Sequence, residues 1–344
     1  MKPFPATCAL LLLLAVSPGV FPARGAARSS GQPSVVRVSV TSQAYDFRRP
    51  WTKKAPYSLR ALGAVLPNKC VLVTAEFVAN HTYLELEKPE SGAKTTARVE
   101  CVDYQANLAL LKASDDKFFA GFKPLEMTSA GSGDRLTVLQ LEPNGSPVTT
   151  EGVMSTVAVT RMPHDDLALL IYRATVALQF YDASITMPVL KGRKLAGMMV
   201  RYDRRTQNAE IIAAPVIEHF LKAAAKPPYR GFPRAGFSAS ATRDPQLRRY
   251  ARLNPDPPAG VFVTDVVKNS PADQAGLKVG DVLAAVDNHV IDQDGNYNDP
   301  IHGRIPFTHL LSTRHYDGDT VKFKILRLGQ LDTLSVTLRQ RPAE

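Results

Sequence analysis

The apolar positions alternate with polar ones in many short runs. Ser34–Val40 sets valine against polar neighbours and predicts a first strand. Further strands are predicted at Arg60–Val65, Cys70–Thr74, Thr82–Leu86, Ala97–Val102, Leu108–Lys112 and Arg135–Gln140, then at Gly152–Val159, Thr175–Gln179, Pro188–Leu190, Lys194–Val200 and Ala209–Ile212. Tyr45–Tyr57 is polar, aromatic and contains proline, so it reads as a loop. Many short strands separated by turn residues predict an all-β barrel or sandwich. The period then changes. Val216, Ile217, Phe220 and Leu221 stand at helical spacing, so one amphipathic helix over Pro215–Ala225 closes the β region.

Lys226-Pro227-Pro228-Tyr229-Arg230-Gly231-Phe232-Pro233 reads as a short, semi-rigid linker because of its prolines. Beyond it come a strand at Gly236–Ala241, a basic helix at Pro245–Leu253, and strands at Val261–Val267 and Val282–Val286. Between the last two, Ser270 is placed to cap a helix with Pro271 at its first position. Gly276 suits the left-handed residue that ends this helix, and Gly280-Asp281 turns into the next strand. Phe307–Arg314 predicts another helix, and Thr320–Leu326 with Thr333–Leu338 a closing hairpin.

Composition bounds the picture. The chain has 344 residues, 44% of them hydrophobic and 22% charged, ordinary values for a globular protein of one to three domains. Residues 1–27 read as a secretory signal peptide: Lys2, the apolar run Ala9–Val16, then Ala23-Arg24-Gly25 as a small-x-small cleavage site. An exported chain, periplasmic or extracellular, is expected. Loss of Lys2 and Arg24 would lower the net charge from +10 to +8. The basic residues are scattered, with a denser run at Arg243, Arg248, Arg249 and Arg252, and no nucleic-acid module accompanies them. Cys70 and Cys101 would remain, in strands, either as one disulfide or as small buried hydrophobes. No Cys/His spacing suggests a zinc site. Asp292, Asp294, Asn296 and Asn298 alternate as in a calcium loop, but Tyr297 and Gly303 replace the glycine and glutamate that such a loop needs. The segment Asp292–Pro306 therefore reads as a polar, turn-rich insert, and no metal or other cofactor is expected.

Gly260–Asp287 resembles the central segment of a PDZ domain of the bacterial HtrA/Deg type. The region before it resembles the trypsin-like double β-barrel of those proteases. Leu62-Gly63-Ala64-Val65 stands at the family's glycine-rich strand, Val71–Ala75 at the strand leading to the catalytic histidine, and Asp103–Lys112 at its D-x-x-x-D-L-A-[LV]-L-K segment. Leu195–Met199 stands at the strand after the nucleophile loop. The resemblance implies a mainly β protein: a degenerate barrel at 34–225, a linker at 226–233 and a PDZ domain at 234–341, an α+β fold with a partly open barrel.

The resemblance also fixes where a Ser-His-Asp triad would stand. The histidine falls on Phe77, the aspartate on Asn107, and the serine on Ile185, with Thr186 and Met187 in place of glycines. No proton acceptor, carboxylate or nucleophile stands at these positions, so an inactive protease homologue is expected, a pseudoprotease and not an enzyme. The alternative is an active serine endopeptidase with a shifted or replaced triad. A slip of one residue brings in Ser184, and His81 or His164-Asp165-Asp166 are replacement candidates. A structural or assembly protein of the cell envelope is a third reading.

In PDZ domains of this type, a loop holds a ligand's C-terminal carboxylate on backbone N–H groups, and the following strand pairs with the ligand. By resemblance the loop is Pro233-Arg234-Ala235-Gly236, the strand runs through Phe237, Ser238 and Ala239, and the other wall carries Phe307, Leu310 and Leu311. The implied partners are peptide C-termini or unfolded exported proteins, in protein quality control. An active protease of the same type and a homotrimer built on Tyr45, Phe47 and Trp51 are further implied partners.

Overall fold

The computed structural model describes residues 35–142, 146–162, 167–178, 186–253 and 260–340. The expected leader at 1–27 lies outside them. The described residues are mainly β.

The first barrel contains β1 (Val35–Ser42), a small hairpin of β2 (Tyr45–Asp46) and β3 (Arg49–Lys53), then β4 (Tyr57–Leu66), β5 (Cys70–Val73), β6 (His81–Glu87), β7 (Lys94–Asp103) and β8 (Leu108–Ala113). It closes in the order β1-β4-β5-β8-β7-β6. The alternating valines of β1 turn inward, where Val38 and Val40 pack with Val71, Val73, Leu84 and Leu111. The stretch expected to be a loop before Tyr57 instead forms β2 and β3, which pair only with each other.

The second barrel contains β9 (Arg135–Leu141), β10 (Pro147–Arg161), β11 (Ala168–Val176), β12 (Met187–Lys191), β13 (Lys194–Asp203) and β14 (Asn208–Ala213). It closes in the order β10-β11-β14-β13-β12-β9. Of the strand expected at Thr175–Gln179, Thr175 and Val176 are the end of β11, Ala177 and Leu178 lie beyond it, and Gln179 is outside the described residues. The body of β11, Leu169–Tyr172, is buried on both faces and so lacks alternation. Helix α1 (Ala214–Ala224) follows, with Val216, Ile217 and Phe220 buried.

The C-terminal part contains β15 (Phe237–Ala241), α2 (Pro245–Tyr250), β16 (Val261–Val266), α3 (Pro271–Gln274), β17 (Val282–Val286), β18 (His289–Val290), β19 (Asn296–Asp299), β20 (Gly303–Pro306), a π-helical turn at Leu310–Arg314, β21 (Thr320–Arg327) and β22 (Gln330–Thr337). The sheet order is β15-β16-β17-β21-β22, which leaves β15 at an edge. The local signals work as the chain dictates: Ser270 Oγ accepts the N–H of Asp273 at 3.3 Å, and Gly276 has φ +85°. Buried Asp281 in the Gly280 turn receives Arg327 through two nitrogens, at 2.8 and 2.7 Å.

The linker is packed. Phe232 is fully buried, the Tyr229 hydroxyl donates to Asp103 Oδ2 on β7, and His219 of α1 stacks between Phe232 and Tyr316 at 4.4 and 4.3 Å. One apolar core runs from the second barrel through Phe220 and Phe232 to Phe323.

One open choice is decided and one expectation changes here. Cys70 and Cys101 are both free. Cys70 pairs with Lys112 on one side of β8 and Cys101 with Leu110 on the other, so a whole strand separates the thiols. The insert at 292–306 is not a loop but the hairpin β19–β20. Its carboxylates are engaged. Arg304 reaches Asp292 at 2.6 Å and Asp294 at 2.5 Å, and Arg243 also meets Asp294. These pairs use the oxygens a calcium loop would need, and no metal-binding group of three or more His, Cys, Asp or Glu occurs among the described residues.

Candidate functional site

Two places concern function: the junction of the two barrels and a groove on the C-terminal sheet.

At the junction, Phe77 sits in a 3-10 turn, Glu76–Val78, just after β5, with its ring in the core of the first barrel. Asn107 ends the turn between β7 and β8 at φ +54°, and its Oδ1 accepts the N–H of Glu76 at 2.9 Å. Positions 77 and 107 are therefore neighbours. Buried Thr186, on the other barrel, accepts the N–H of Thr74 at 3.2 Å, and the two threonine hydroxyls also hydrogen-bond. That contact ties the entry to β12 against the strand leading to Phe77. Ser184, Ile185 and the segment His164-Asp165-Asp166 lie outside the described residues. His81 opens β6, and its Nδ1 is 2.8 Å from the carbonyl of Val78.

The groove lies between the free edge of β15 and the π-helical turn Leu310–Arg314, with a volume of about 730 Å³. Arg234, Ala235, Gly236, Phe237, Ser238, Ala239, Phe307 and Leu311 all line it. Leu310 does not: it is buried in the core beside the groove-lining Leu311. Gly236 has φ +82°, and a β-carbon there would lie 2.3 Å from Ser270 Cβ. Only glycine fits this approach of loop to helix. Among the described residues, the N–H groups of Ala235 and Gly236 donate to no backbone carbonyl. Phe237 stacks on Phe307 at 6.1 Å and forms an apolar floor.

The structure adds walls that residue pattern did not reveal. The turn Val267–Ser270 and Gln274 of α3 border the groove, and so do Arg161 and Ala168 of the second barrel. Ser312 Oγ donates to the carbonyl of Ala168 at 3.0 Å and fixes the helical wall to β11. Nothing in the local sequence signals these contacts, which join positions 144 residues apart.

The insert makes a second tie. Tyr172 Oη is 3.1 Å from Nε2 of His302, whose Nδ1 is 3.1 Å from Asp299 Oδ1. All three side chains are buried. Burial pushes the Asp299 carboxyl up, but the N–H groups of His302 and Ile301, with Arg314 and Tyr297, outweigh it and hold the carboxyl well below the usual carboxylate range.

Residues 233–338 match the PDZ domain family. Two relatives from Arabidopsis thaliana extend the likeness to most of the chain. Protease Do-like 4, mitochondrial, is 28% identical over 90% of this chain and 60% of its own length. Protease Do-like 2, chloroplastic, is 26% identical over 90% of this chain and 51% of its own length. This chain thus spans about half to three fifths of these relatives. Among solved structures, the HtrA-type protease AlgW with a tripeptide superposes with a TM-score of 0.68 at 16% identity, over 91% of this chain and 95% of that one, which shows the fold.

These relatives overturn the expectation that the chain is not an enzyme. Proteins named as proteases align along nine tenths of it. The physical reason is that a triad is defined by geometry and roles, and three substitutions in one register describe only those positions. The chain folds as a trypsin-like double β-barrel followed by a PDZ domain, the architecture it shares with the HtrA-type protease AlgW.

Proposed function

We propose that this chain is an exported HtrA-type serine endopeptidase with a replaced triad, whose PDZ groove captures the C-termini of unfolded polypeptides. The groove carries the reading. An edge strand with an open side, the N–H groups of Ala235 and Gly236, which donate to no backbone carbonyl among the described residues, and a facing apolar wall form the arrangement by which a peptide adds as a strand while its carboxylate sits on backbone donors.

For hydrolysis, the support is the protease relatives. Phe77, Asn107 and Ile185 supply none of the triad chemistry, and of the two hydroxyls of the nucleophile turn that of Thr186 is bonded to Thr74, which leaves Ser184. Without a base at position 77, turnover should be slow, of the order of the ~10³–10⁴-fold over water that a site retains when a triad member is lost. The apolar run Ala9–Val16 behind Lys2 supports export to the periplasm or the exterior and a part in protein quality control there. Phe47 and Trp51, 91% and 79% exposed on the β2–β3 hairpin, support assembly with further copies or with an active relative.

The test is casein cleavage by residues 28–344 beside Ser184→Ala, with fluorescence anisotropy of a C-terminal peptide on the same samples. Cleavage lost in Ser184→Ala, with peptide binding intact, is expected. Cleavage unaffected by the substitution, or absent in the parent, overturns the replaced triad. Peptide binding that survives C-terminal amidation unchanged overturns the groove reading.

A further inference from the structure

One wall of the groove hangs on a buried histidine. Phe307, Thr308, Leu311 and Ser312 line the groove, and His309 among them is buried against the insert hairpin. Its ring lies nearly parallel to Tyr297 of β19 at 6.5 Å and edge-on to His302 at 6.4 Å. Its Nδ1 has no hydrogen-bond partner among the described residues. The charged and titratable groups around it are Tyr297 and Asp299 of β19, His302 in the hairpin turn and Arg314 of its own turn. Tyr172 of β11 stands behind His302, and His289 of β18 beyond Tyr297. One carboxylate serves them all. Asp299 Oδ1 already accepts the N–H groups of Ile301 and His302 at 2.9 Å and the His302 ring at 3.1 Å, and Oδ2 accepts Tyr297 at 3.0 Å and Arg314 at 2.5 Å. A proton on Nδ1 of His309 would set a second cation beside Arg314, in a buried site whose carboxylate is already committed.

Relief is available locally. Leu310–Arg314 is a π-helical turn, a rare geometry that occurs mostly at functional sites. Single hydrogen bonds tie it down: Ser312 to the carbonyl of Ala168 at 3.0 Å, and His219 and His315 to the carbonyls of Thr313 and Leu310 at 3.0 and 2.9 Å. Swinging the turn outward takes His309 to water. We infer that the groove is acid-sensitive: protonation of His309 displaces the wall Phe307–Ser312 and releases the bound peptide while both barrels stay folded. The inference rests on the groove reading above and adds regulation to it. With the wall in place, burial outweighs the pull of Asp299 and holds the ring to about 4; with the wall displaced the ring returns to its ordinary 6.5. The displaced state therefore binds the proton more tightly and gains on the closed one as pH falls below 6.5. One such group shifts the balance by up to about thirtyfold at pH 5.

A labelled peptide with a free C-terminal valine and no titratable side chain tests this by anisotropy with the full chain, between about pH 7.5 and 5, where the peptide carboxylate stays ionised. Affinity in the parent should fall about tenfold across that range, with far-UV circular dichroism unchanged. His309→Phe keeps a ring against Tyr297 and takes up no proton, so its affinity should be the same at both ends. His289→Gln, at the exposed edge of the same cluster, should keep the fall. Hydrogen exchange of the parent at the acid end, corrected for the intrinsic rate, should show residues 307–314 opening while β9–β14 stay protected. This measurement decides the matter on its own if His309→Phe does not fold. Parent affinity that does not change with pH overturns the inference and leaves the groove reading standing. The same fall in His309→Phe overturns it too, as does exchange in which β9–β14 open together with 307–314. No binding at the neutral end overturns both.

Discussion

Tyr172 on the second barrel and His302 in the C-terminal insert share a buried hydrogen bond of 3.1 Å. Ala130 donates its N–H to the same hydroxyl at 3.2 Å, so the tyrosine proton is free to point at Nε2, and the Nδ1 proton of the imidazole points at Asp299. Tyr172→Phe leaves a buried Nε2 without its donor. A loss of about 1–3 kcal/mol is expected, read from urea denaturation. A variant as stable as the parent would mean that the bond contributes nothing net.

The same region sets a pH dependence. Burial pushes His309 down to about 4, and holds His219 and His302 below their ordinary value of 6.5, against the opposing pull of Asp299 on His302 and His309. The folded chain keeps these rings neutral where the unfolded chain binds protons. Stability therefore rises with pH across this window and is lost as pH falls from about 6.5 toward 4. For His309 alone the loss is on the order of 3 kcal/mol by pH 4. Denaturation midpoints across that range should drop, and should drop less in His309→Phe.

Gly236→Ala should impair peptide capture more than it impairs folding. The left-handed backbone costs roughly 1–2 kcal/mol for any other residue. The added methyl also meets Ser270, which donates to the Gly236 carbonyl at 3.1 Å and caps α3. Peptide affinity is expected to fall at least tenfold. Gly192→Ala, at φ +62° with open space around it, is the control and should leave affinity unchanged.

Both described cysteines should titrate as thiols. They lie on the two strands flanking β8, about 10 Å apart at the usual strand spacing, beyond the ~7 Å span of a disulfide. With residues 1–27 removed, Ellman titration in denaturant should count two thiols per chain. Reaction of the folded protein should be slow, because burial pushes the Cys101 thiol up to about 11. A count of zero would refute the strand placement.

What could be read beforehand followed from periodicity. Val38 and Val40 alternate because one face of β1 is core, and Val216 to Phe220 follow a helix that packs by one stripe. Leu169–Tyr172 escaped because a strand buried on both faces has no period to detect. Tyr45–Lys53 escaped because β2 and β3 pair outside any core. The insert misled through composition: Asp292, Asp294 and Asp299 look like solvated loop residues until Arg304 and Arg314 fold back on them. The loop and strand of the groove were legible through a family pattern. The Arg161 and Ala168 wall belongs to a barrel that only the tertiary fold brings near.

The packed linker has one more consequence. Tyr229 is held by Asp103, Phe232 lies in the shared core, Ser312 is tied to Ala168 and His302 to Tyr172. Separating barrel from PDZ domain would expose all of these at once. The proline-rich stretch that looks like a hinge is therefore a weld, and heating should melt the molecule in a single calorimetric transition, as one cooperative unit.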